Sequence, residues 1–190
     1  MTRFLDIRRS AIAAGKRGFF MLPELLKQEQ SGRPLPNGDS YKIGVAGLAA
    51  KIILESGEAL SASFYLRLSS MSGPGRETLG ERLNDPATRF LPCKVDGQIE
   101  LVNLDMISHV LVHSPLPEVS FREQLGAVRR RAKVYMHAGL VLDGDFLHIL
   151  PDPRSRLSDL LNITDERFLL FLTRAAHMYV NRTQIVRVVP

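Results

Sequence analysis

The chain has 190 residues, 45% of them hydrophobic and 24% charged, with a formal net charge of +5 and a pI of 9.7. That balance excludes a wholly disordered chain and suits one ordinary domain or two small ones. The lone cysteine, Cys93, excludes an internal disulfide, and no apolar run approaches the ~20 residues that span a bilayer, so a cytoplasmic protein is expected.

Residues 1–49 read as a helical basic leader and linker, with eight basic and four acidic residues. "FLDIRRSAIAAGKRGFFML" predicts an amphipathic helix, Pro23 opens a short second one, and "SGRPLPNGDS" is a linker. Arg8 and Arg9 precede a short apolar run, as in an export signal, but Lys16 and Arg17 interrupt that run, so export is not read. The apolar residues of this leader suit docking onto the rest of the chain. The sharper reading makes Phe19 and Phe20 contacts to a partner protein or to a membrane surface, touched peripherally.

Residues 50–112 and 132–190 read as one unit of about 60 residues, present twice. The stretch 76–110 aligns with 154–188 without a gap, pairing Arg89 with Arg167, Asn103 with Asn181, Ile107 with Ile185 and Val110 with Val188. "AKIILESGEALSASFYLRL" (50–68) aligns with "AKVYMHAGLVLDGDFLHIL" (132–150), and the change of offset falls on the Gly/Ser-rich "SSMSGPG" loop.

Between the copies, residues 113–131 predict a helical connector. Ser120 and Glu123 have capping-box spacing, and Arg129, Arg130 and Arg131 fall in what reads as the last turn, where cations favour the helix dipole.

In the second copy, Lys133 to His137 is a short strand, Ala138–Gly139 a turn, and 140–150 a second strand with Gly144 at a bend or bulge. Leu157, Leu160 and Leu161 have helical spacing, with Asn162 as a left-handed cap; "RFLLFLT", "HMYVN" and "IVRVV" complete five strands. The expected fold class is mainly β with short helices: two tandem five-stranded small barrels, each with a helical insertion, behind a helical leader.

"VNRTQIVRVV" resembles the closing segment of Sm-like proteins, the bacterial Hfq type included: a strand, a tight turn, then an Ile three positions before a Val. "AKVYMHAGLVLDGDF" is similar to the first two strands of such a barrel, and "RLSDLLN…RF…VNR…I" to a signature of uncharacterised bacterial domains. The resemblance implies a small Sm-like barrel in each copy and, for function, RNA binding. Two departures stand beside it: the Asp and Asn that Sm-like RNA binders carry around the third strand have no counterpart, and a helix replaces a short loop.

No nucleophile with an activating base and no metal-ligand spacing emerges. His109 and His113 fall across the end of a strand and read as surface, Cys93 as a small buried hydrophobe, and "SGPG" lacks a phosphate-loop ending. No cofactor is expected. The function expected is therefore that of a non-catalytic scaffold or adaptor that binds partner proteins or self-associates, with RNA binding as the alternative. Candidate contacts are Phe19, Phe20, Arg129, Arg130, Arg131, Asn103, Asn181 and Arg182, although Asn can equally serve the turn and Arg a nearby carboxylate.

Overall fold

In the computed structural model, which describes residues 45–70, 75–149 and 156–190, alternating apolar runs form ten antiparallel strands. The first half holds β1 (Val45–Leu54), β2 (Ala59–Arg67), β3 (Phe90–Val95), β4 (Gln98–Asn103) and β5 (Ile107–Val112), with helix α1 (Leu79–Asn84) before β3. Helix α2 (Pro117–Gln124) leads to the second half: β6 (Val128–Met136), β7 (Val141–His148), helix α3 (Leu157–Ile163), β8 (Phe168–Leu172), β9 (His177–Asn181) and β10 (Ile185–Val189).

The turns have local causes. Asp96 and Gly97, with φ of 47° and 88°, make the two-residue hairpin between β3 and β4 that an Asp-Gly pair favours. The residues before the last strand of each half have matching geometry: Asn103 and Asn181 stand at φ/ψ of −70/118° and −69/117°, and each caps a single 3-10 turn through its side-chain oxygen. Ile107 and Ile185, both at −81/122°, end that turn and begin the strand. The Ile–Val spacing of three falls inside the strand and arises where the pairing register shifts just after the Ile, so that one extra residue interrupts the period-two pattern in both halves.

The mainly β class with three short helices is as expected, but the strands do not form two separate closed barrels. They run in one unclosed sheet of order β10-β6-β7-β8-β9-β5-β1-β2-β3-β4. Each half contributes five neighbouring strands in the same internal order, and the halves are joined where β9 pairs with β5, from His109↔Val180 to Val112↔His177.

That junction explains why some strands lack alternation. In β8, Phe168, Leu170 and Leu172 enter the core of the first half, while Leu169 and Phe171 enter that of the second. In β9, Tyr179 faces the first core, and Met178 and Val180 face the second. Fully burying such a side chain is worth about 1.5–3 kcal/mol, so a separated second half would lose much of its stabilisation. Two barrels were expected because the apolar face turned toward the other half carries no mark of which core it serves.

Other details correct the sequence reading. Arg129, Arg130 and Arg131 lie in β6, not at a helix end, and Ser120 is inside α2, whose cap position is Leu116. Pro117 starts that helix instead, its missing N–H costing nothing in the first turn. Val45–Ala49, read as linker, begin β1. Asn162 lies within α3, not in a left-handed cap. Gly144 pairs in register with Ala132, and its need is space: a Cβ there would overlap the carbonyl oxygen of Leu172. The leader up to residue 44, with Phe19 and Phe20, lies outside the described residues. Among the described residues no helix is long and apolar enough to cross a membrane.

Candidate functional site

The residues singled out from the sequence do not converge. Asn103 is on β4, the outermost strand of the first half, whereas Asn181 is fully buried on β9 and its Nδ2 donates to the carbonyls of Leu104 (3.3 Å) and Ile107 (2.8 Å). Arg182 turns back on its own half, donating to the carbonyls of Thr164 and Leu161. In the β6 triplet, Arg129 is paired with Glu123, and Arg131 with Asp143 at 2.5 Å. Arg89 and Arg167 meet one carboxylate, Asp105, at 3.2 Å and 3.8 Å; the first contact lies within the first half and only that of Arg167 crosses between the halves.

Two features were not read from the sequence. The first is a cleft of about 330 Å³ lined by Thr78, Glu81, Glu118, Arg122, His148 and Glu166 among others. Glu118 sits in the first turn of α2, where a carboxylate suits the helix dipole, but α2 packs against β7 and buries it. Burial raises its carboxyl to about 7, against the lowering pull of the Thr78 side chain and Arg122. Across the cleft His148 is buried too, its pKa lowered by burial and by Arg130. Glu118 Oε1 and both ring nitrogens of His148 have no hydrogen-bond partner among the described residues.

Such a cleft can hydrogen-bond a small polar group and exchange a proton near neutrality. The hydroxyl oxygens of Thr78 and Thr164 accept from the backbone N–H groups of Glu81 and Glu166, both at 3.1 Å. Among the described residues no group of three or more His, Cys, Asp or Glu is placed to hold a metal. Cys93 is buried as expected, and burial pushes its thiol to about 12. His109, expected at the surface, is buried on β5 and its pKa falls to about 4.

The second feature is the pair of open sheet edges. On β4, Ile99 and Leu101 are 61% and 67% exposed, and on β10 Val186 is 66% exposed. Natural edge strands are usually blunted by charge, bulges or cover, so apolar side chains along an open edge mark a surface that another strand can occupy. The signal in the sequence was weak, because "QIELVN" and "IVRVV" read as ordinary strands until the strand order shows them outermost.

Compared with known proteins, the chain matches no family model, no curated protein and no solved structure.

Proposed function

We propose that this protein is a non-catalytic scaffold, built by duplication of one small five-stranded unit of Sm-like kind, that holds partner proteins by strand addition at its sheet edges. The observation that carries this reading is the open edge at each end of the sheet, with large apolar side chains on β4 and β10. Cytoplasmic assembly and partner capture by the leader around Phe19 and Phe20 belong to the same reading.

The RNA-binding alternative finds less support in the side chains named for it. Arg129 and Arg131 are paired with carboxylates, Arg182 with backbone carbonyls, and Asn181 is buried. A photo-reactive amino acid at Leu101 or Val186, activated in living cells, tests the reading. Protein adducts at both positions are expected. Their absence overturns the scaffold, and adducts with RNA instead transfer the assignment to the alternative.

A further inference from the structure

The internal junction between β5 and β9 is a pattern for a second junction that one chain cannot make. We infer that this protein associates head to tail with further copies of itself, β4 of one chain pairing antiparallel with β10 of the next. The inference rests on the scaffold reading and names the partner of those edges.

The register follows from the 78-residue offset between the halves. Internally, His109 pairs with Val180, Val110 with Tyr179 and Leu111 with Met178. The equivalent residues are Arg187 with Val102, Val188 with Leu101 and Val189 with Glu100, which lie on the two open edges. Arg187 and Glu100 then sit diagonally on one face with opposite charges, a favourable cross-strand arrangement.

Burial agrees position by position. Tyr179 is 0% exposed at the internal junction while its counterpart Leu101 is 67% exposed, and Ser108 is 3% exposed against 66% for Val186. Phe168 of β8 is fully buried against the other half, whereas its counterpart Phe90 on β3 is half exposed. The residues facing a half's own core are buried in both cases: Leu91 and Val102 in the first, Leu169 and Val180 in the second.

The polar clamps are duplicated as well. Across the internal junction Asn84 of α1 brackets the backbone of Phe168, and Asn181 reaches the carbonyls of Leu104 and Ile107. Between chains, Asn162 of α3 would bracket Phe90, and Asn103 would reach the carbonyls of Arg182 and Ile185. In the single chain Asn162 is exposed and, among the described residues, donates locally to the carbonyl of Ser158. Size is compensated too: α1 presents Gly80 to the ring of Tyr179, and α3 presents Ser158 where the smaller Leu101 would come. A head-to-tail contact is heterologous, so it closes into a ring or extends as a filament.

The test measures the mass of the purified, nuclease-treated full chain by native mass spectrometry and light scattering over a range of dilutions. Multiples of the 21.2 kDa chain are expected. Leu101→Lys and Val186→Lys change exposed side chains on opposite edges, and each variant alone is expected to be monomeric. An equimolar mixture of the two retains one good β4 and one good β10, and is expected to give a dimer and nothing larger. A wild-type chain that stays monomeric throughout overturns self-assembly, and so do single variants that keep the wild-type mass. Cross-linking of other proteins at Leu101 and Val186 would still leave the scaffold reading standing.

Discussion

The carboxamide of Asn84 donates to the carbonyl of Phe168 at 3.0 Å and accepts from its N–H at 2.7 Å, joining a helix of the first half to strand β8 of the second. Asn84→Ala leaves both buried backbone groups without a partner and is expected to cost about 2–3 kcal/mol in urea unfolding. The matching change Asn162→Ala, made in a chain kept monomeric by Leu101→Lys, is expected to stay within about 0.5 kcal/mol because Asn162 is exposed. Equal costs for the two would mean that Asn84 acts only within its own helix.

Tyr179 is fully buried and its hydroxyl has no hydrogen-bond partner among the described residues. Tyr179→Phe removes an unsatisfied polar atom without changing the ring, so it is expected to be neutral or to stabilise the fold by about 1 kcal/mol. Thermal unfolding at one pH reads this directly. A loss of more than about 1 kcal/mol would show that the hydroxyl has a partner after all.

Glu118 gives the fold a pH dependence of definite sign. Its carboxyl is raised from 4.5 to about 7, so the folded chain holds more protons than the unfolded one between those values. Its contribution is complete below about 4.5 and is lost as the pH rises through 7; two to three pKa units correspond to on the order of 3 kcal/mol. His109, lowered from 6.5 to about 4, acts in the opposite sense, contributing stability above 6.5 that is lost as the pH falls toward 4. His148 and His177 are lowered in the same direction. Between 4.5 and 6.5 the three histidines raise wild-type stability with pH and Glu118 opposes them, so a shallow rise is expected there and a decline from 6.5 to just above 7. Glu118→Gln should rise more steeply up to about 6.5 and then level off. Urea midpoints across this range check it, and parallel curves for the two chains would remove the buried acid from the account.

Cys93 is fully buried, and its thiol stays protonated at any ordinary pH. A disulfide reagent such as DTNB should react with the native chain only as fast as the sheet opens, and should speed up with urea in step with unfolding. Prompt stoichiometric reaction in buffer would contradict that burial.

Much of this architecture was legible in the residues. "RFLLFLT", "HMYVN" and "IVRVV" became β8, β9 and β10, the leucines of "RSRLSDLLN" became α3, and Asn103 and Asn181 marked the same turn in both halves. Those are local matters: spacing, side-chain branching and turn chemistry act over a few residues. The site was less legible. Glu118 and His148 stand in the connector and in a strand with no local mark of burial, and only the packing of the folded chain buries them.

Where a strand finds its neighbour is different in kind. Glu100 and Leu101 on β4 and Met178 and Tyr179 on β9 occupy equivalent places in similar strands, yet the first pair is exposed and the second buried. The sequence by itself determined most of the strands and the turns between them, because each is settled by short-range sterics and by the period of the apolar residues. Only the tertiary structure decided that β9 joins β5 and that β4 and β10 remain outermost, because backbone edges carry the same donors and acceptors everywhere and their pairing depends on which apolar faces are brought together.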